Sequence, residues 1–174
     1  MLSKLKKKSI QKHFSREQSN ASLNPRNINT KPIRKIGVLM EESQLLKSND
    51  TLNSLQQNFE IPLENIELLV FKNFDKKQVY TDFECTEKDF GWYGSLKLNK
   101  LQEFVKNEYD LLINYGFEEN LYWNVITLQS QSNFKVGFAA KKDGLYDLAI
   151  SDTERNLDVL TSEMVKYLKI LKKL

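Results

Sequence analysis

Cysteine and histidine are almost absent: Cys85 and His13 are the only ones in 174 residues. A lone thiol cannot close an internal disulfide, which fits a reducing compartment. Two such ligands also fall short of a structural zinc site. A nucleophilic triad has no histidine to draw on except one embedded among lysines. Only six glycines and three prolines occur, so the chain is neither collagen-like nor low in complexity. No apolar run reaches the roughly 18 residues of a membrane-spanning helix. Behind Lys6, Lys7 and Lys8 come Ser9, Ile10, Gln11, Lys12 and His13, where a secretory signal would need an apolar stretch. The expectation from these absences is a cytoplasmic protein without a metal or cofactor and without a catalytic set.

What is present fits one globular domain, since 40% of the residues are hydrophobic and 28% charged, in a length close to that of a typical domain. The net charge of +3 hides a sharp asymmetry. Residues 1–35 hold ten bases and one acid, a net +9, which leaves sixteen bases and twenty-two acids, a net −6, for the rest. A basic arm on an acidic body is the distribution expected of a chain that grips a polyanion, either nucleic acid or an anionic membrane surface. The plainer alternative is a solvated tail that aids solubility.

Periodicity divides the chain at about residue 32. Residues 2–18 read as a helix with a thin apolar stripe of Leu2, Leu5, Ile10 and Phe14, and Ser19–Pro32, rich in Asn and Ser, reads as a linker. The arm and linker thus span residues 1–32 and an α/β domain spans 33–174. In that domain short apolar segments at Lys35–Met40, Ile66–Lys72, Asp82–Cys85, Tyr109–Tyr115, Phe134–Phe138 and Tyr146–Ile150 predict strands. Helical patterns at Ser43–Phe59, Lys97–Asn107, Glu119–Ser130 and Asn156–Leu171 alternate with them, with Asn49 or Asp50 as a cap inside the first. This alternation predicts a single three-layer domain, Rossmann-like or flavodoxin-like, with a mainly parallel sheet.

Ligands of open α/β sheets bind beyond the carboxyl ends of the strands. The first strand ends in Glu41 and Glu42, where a phosphate cradle needs glycine and no carboxylate, so an ordinary nucleotide site is not expected. Glu118 and Glu119 follow the fourth strand, and the four acids converge if the two strands are neighbours. The competing reading is solvated acids at helix starts. Gly91-Trp92-Tyr93-Gly94 offers either an exposed stacking platform or, the preferred reading, an aromatic latch packing the loop on the core. Glu41, Trp92, Tyr93 and Glu118 are the residues expected around any ligand pocket. Cys85 reads as a small buried hydrophobe.

The arm presents Lys4, Lys6, Lys7, Lys8, Lys12 and Arg16 on its helix, with Arg26, Lys31 and Arg34 continuing the track. Phosphates of folded RNA are the preferred partner. An anionic leaflet is the alternative, but insertion wants a broader apolar face than four scattered residues. Nothing in the sequence is specific to DNA.

The segments Lys35-Ile36-Gly37-Val38-Leu39, Asp89-Phe90-Gly91-Trp92-Tyr93-Gly94, Glu108-Tyr109-Asp110-Leu111-Leu112-Ile113-Asn114, Phe134-Lys135-Val136-Gly137-Phe138 and Tyr146-Asp147-Leu148-Ala149-Ile150 occur in this order. So arranged, the chain resembles a family of small, functionally uncharacterised proteins of Bacteroidetes-type bacteria, with a basic amino-terminal helix and an α/β domain. The resemblance implies the architecture and carries over no activity. A weaker likeness, from Tyr109 to Phe138, is to the amino-terminal half of heptosyltransferase-type glycosyltransferases, and it implies shared architecture alone. The function expected is a non-enzymatic binding protein whose arm contacts RNA, with ribosome association. The alternatives are a small-molecule or enzymatic domain acting at the acidic strand ends, and a peripheral membrane adaptor.

Overall fold

The computed structural model describes residues 2–23, 31–117, 119–138, 144–150 and 156–174. The apolar run after Lys35 forms β1 (Ile36–Glu41), in which Ile36 to Met40 are all buried, as befits a central strand covered on both faces. It pairs in parallel with β2 (Ile66–Lys72) on one side and β4 (Leu111–Asn114) on the other. Beyond them lie β3 (Glu84–Thr86), β5 (Phe134–Gly137) and β6 (Leu148–Ala149), so the six-stranded parallel sheet has the order β3-β2-β1-β4-β5-β6. The direction in which successive strands are added reverses between β1 and β4, the switch point of a doubly wound Rossmann-type sheet.

Alternation along β1 feeds two cores. Ile36, Val38 and Met40 pack with Leu55 and Phe59 of α2 (Ser48–Phe59) and with Leu160, Met164 and Leu168 of α5 (Leu157–Ile170). Leu39 points the other way, into a cluster with Leu101 and Phe104 of α3 (Asn99–Lys106) and Trp123, Val125 and Ile126 of α4 (Leu121–Gln129). The same cluster contains Ile10 and Phe14 of α1 (Leu2–Leu23), which are 0% and 3% exposed. The arm helix is therefore seated on the body, against α4 and the Trp92–Gly94 turn.

Most element ends shift by one or two residues from the sequence pattern, and at the arm and before α2 the difference is larger. The helix continues past Ser19 to Leu23, because the Ser19 and Ser22 hydroxyls donate back to the carbonyls of Ser15 (2.9 Å) and Gln18 (3.0 Å) and are absorbed into the helix. Neither Asn49 nor Asp50 caps a helix. A 3₁₀ turn, Glu42–Lys47, runs directly into α2, and both residues lie in its first turn. Asparagine does cap α4 and α5: the Asn120 side chain accepts the N–H groups of Tyr122 and Trp123, and the Asn156 side chain accepts that of Asp158.

Gly137 is fixed by packing. The Tyr146 ring crosses it so closely that an added β-carbon would lie 2.4 Å from the ring. Asn114 donates to the Tyr146 hydroxyl at 2.8 Å, which holds the ring in place. Gly137→Ala is expected to displace the ring and cost about 1–3 kcal/mol, as overpacked sites do. Urea unfolding reads this as a lower midpoint at unchanged slope, and an unmoved midpoint would contradict the packing account.

Candidate functional site

The cavity at the switch point measures about 490 Å³ and is lined by Glu41, Glu42, Ser43, Phe71, Asn73, Glu119 and Asn120. Adjacent strands β1 and β4 bring Glu41, Glu42 and Glu119 to this one cavity. Glu41 closes a reciprocal cap on the turn that follows it. Its carboxylate accepts the Gln44 N–H while the Gln44 side chain accepts the Glu41 N–H at 2.9 Å. Gln44 also donates to the Tyr115 carbonyl at 2.8 Å, which staples the exit of β1 to that of β4. The helix start at which a dinucleotide-binding domain places a phosphate is thus capped by the protein's own carboxylate. A second cavity of about 310 Å³ shares Phe71, Asn73, Glu119 and Asn120 and extends the groove to Lys7 of α1 and to Glu87.

An ion pair supports the cavity wall. Lys72 Nζ lies 2.6 Å from Glu84 Oε1 and 3.7 Å from Glu42 Oε1. Burial pushes the Glu84 carboxyl up, but the Lys72 ammonium and the Thr81 N–H, 2.8 Å away, outweigh it and hold the group below its ordinary value. The hydrogen bond to Glu84 in turn raises Lys72. Among the described residues no three His, Cys, Asp or Glu side chains are grouped to hold a metal ion. Cys85 is fully buried in β3, and burial pushes its thiol pKa up, which suppresses the reactive thiolate.

Of the residues expected around one pocket, the three described ones divide between two places. Glu41 lines the switch-point cavity, and Glu118 lies outside the described residues, where its neighbour Glu119 supplies the carboxylate. Trp92 and Tyr93 line neither cavity and instead flank α1. Their rings are only partly covered by that contact. Trp92 is 46% and Tyr93 65% exposed, while the turn is anchored by buried Phe90, by Gly94 against Val125, and by Gln129 Nε2 donating to the Gly94 carbonyl at 2.9 Å. Phe71, Asn73 and Asn120 had no signal in the sequence, since only the sheet order makes them neighbours of Glu41.

The bases of the arm divide by helical face. Lys4, Lys8, Lys12 and Arg16, four residues apart, are exposed and run along the side away from Ile10 and Phe14. Lys7 is exposed beside the groove. Lys6 is partly buried and donates to the carbonyls of Glu87 (3.3 Å) and Phe90 (2.9 Å), so it fastens the helix to the body. Burial and the nearby Lys97 and Lys88 charges lower its pKa. Lys31 and Arg34 are exposed at the entry to the body, and Arg26 lies outside the described residues.

Residues 6–171 match a family of unknown function, DUF6913. The chain belongs to this family. The matched span takes in most of α1 as well as the whole sheet, so the helix and the α/β body fall in one family unit. No curated protein and no solved structure matches the chain. Among the described residues no helix is long and apolar enough to cross a membrane.

Proposed function

We propose that this DUF6913 chain is a non-enzymatic RNA-binding protein of the cytoplasm, associated with ribosomes through the outer face of α1. The resemblance to Bacteroidetes-type proteins supplies the setting, a bacterial cytoplasm. One observation carries the reading. Lys4, Lys8, Lys12 and Arg16 form an exposed basic ridge on a helix whose opposite face is buried in the core. At about 1.5 Å rise per residue this ridge extends about 18 Å along the helix axis, and its anchored helix presents the charges without first having to order. A solubility tail needs no such anchoring.

The test replaces the ridge by glutamine (Lys4→Gln, Lys8→Gln, Lys12→Gln, Arg16→Gln) in the full chain and follows binding to ribosomal RNA by anisotropy across a salt series. Each phosphate contact contributes about 0.7–0.9 to the slope of log affinity against log salt, so the slope is expected to fall by about 3. Unchanged affinity and slope would sink the proposal, as would failure of the wild type to bind ribosomes or RNA at low salt.

A second reading, a small-molecule site, draws on the position of the cavity at the switch point, where such sheets take ligands. Its carboxylates, Glu119 with Glu42 and the capping Glu41, give it a net acidic lining that suits a cationic ligand. Thermal stabilisation by a polyamine, lost in Glu119→Gln, is the result this reading requires.

A further inference from the structure

We propose that Trp92 and Tyr93 form a stacking platform for unpaired RNA bases beside α1, so that the chain prefers single-stranded or looped RNA to continuous duplex. This rests on the reading of α1 as the RNA-binding ridge and specifies what the ridge holds.

The two rings are exposed although the turn that carries them is well anchored. The turn packs against α1, yet much of both rings stays open to solvent, whereas Trp123, at 1% exposure, shows how the same fold buries an indole when packing is its whole role. Tyr93 also stands in left-handed backbone at φ 59, ψ 14, a conformation that suits Gly or Asn and strains a bulky side chain. Strain of this kind persists where the surrounding structure holds it in place, and it clusters at functional sites.

The platform is continuous with the basic helix. Arg16 Nη2 donates to His13 Nδ1 at 3.2 Å, and the His13 ring meets the Tyr93 ring edge-on, 6.1 Å between centroids. Lys88 and Lys97 are exposed on either side of the aromatic turn. The acids of this stretch are engaged locally: Glu87 accepts the Phe74 N–H and Asp89 that of Thr86. Exposed aromatics among bases that track a backbone are the two parts of single-strand recognition, in which stacking supplies contact and charge supplies steering. Duplex bases hide their faces in their own stack, whereas unpaired bases offer them. A bilayer would want a broad apolar face, and the outer side of α1 is lysine-lined.

The experiment uses the full chain and three probes: a single-stranded oligouridylate, a blunt RNA duplex of equal length, and vesicles containing anionic lipid. The single strand is expected to quench the emission of exposed Trp92 and leave that of buried Trp123 unquenched, so Trp92→Leu removes the quenching. Trp92→Leu with Tyr93→Leu should weaken single-strand binding about tenfold or more, in line with the loss of base stacking, and leave duplex binding unchanged. Trp92→Phe should restore most of the affinity. Tyr93→Asn separates the roles: relief of the left-handed strain raises the melting temperature while single-strand affinity falls. Equal binding of both RNAs, unaltered by these variants, overturns the platform and leaves the ridge standing. Absence of binding to either RNA, or binding to the vesicles alone, overturns both.

Discussion

Phe14→Ala is expected to lower the unfolding free energy by about 3–5 kcal/mol, the cost of removing a buried phenylalanine from a packed core. Phe14 is 3% exposed, and with Ile10 it joins the cluster built from Leu39, Leu112, Phe104 and Trp123. A free arm would give a change near zero. Lys12→Ala, two residues away on the exposed side, serves as the control and should change stability by less than about 0.5 kcal/mol. Urea unfolding should show one transition for the wild type, because α1 and the sheet share a core, and an unchanged midpoint in Phe14→Ala would mean that the helix is not part of the folded unit. The docking also bears on function. With one side held by Ile10, Phe14 and the Lys6 bonds to Glu87 and Phe90, the bases of the opposite side point in a fixed direction.

The sequence pattern located the strands of the described residues to within about two residues, because most are short apolar runs bounded by polar residues; β3, Glu84-Cys85-Thr86, is the exception. The parallel sheet followed from their alternation with helices. The seating of α1 was harder to see. Its apolar stripe holds few residues, and only contact with α4 and the 92–94 turn makes Ile10 and Phe14 core residues. The acids after β1 and β4 were visible, and their convergence depended on strand order, a long-range property of the chain. The aromatic turn combines both alternatives that its residues offer: it packs against α1, while buried Phe90 anchors it to the core and leaves much of the Trp92 and Tyr93 rings in solvent.

Glu84→Gln is expected to cost about 1–3 kcal/mol at neutral pH, since it removes a charge-assisted hydrogen bond from the partly buried Lys72. Glu84 is 4% exposed, and the Lys72 side chain, 15% exposed, would keep Glu42 at 3.7 Å as its ion-pair partner among the described residues. The pH dependence follows from the directions of the two shifts. Glu84 is held below its unfolded value, so its contribution is complete above about pH 4.5 and is lost as pH falls through the folded pKa. Lys72 is raised, so its contribution is complete below about pH 10.5 and is lost as pH climbs through the folded pKa. Stability attributable to the pair is therefore flat between these limits, and Glu84→Gln should flatten the acid limb of the wild-type curve. Glu42→Gln should cost less than about 1 kcal/mol, because that carboxylate is 46% exposed and solvent screens it. Replacing both partners by apolar residues, Lys72→Met with Glu84→Leu, should recover most of the loss, for it removes both desolvated charges together. Greater damage from the double replacement than from Glu84→Gln would show instead that the Glu84 bond to the Thr81 N–H, which a glutamine carbonyl still accepts, and not the ion pair, holds β3 at the sheet edge.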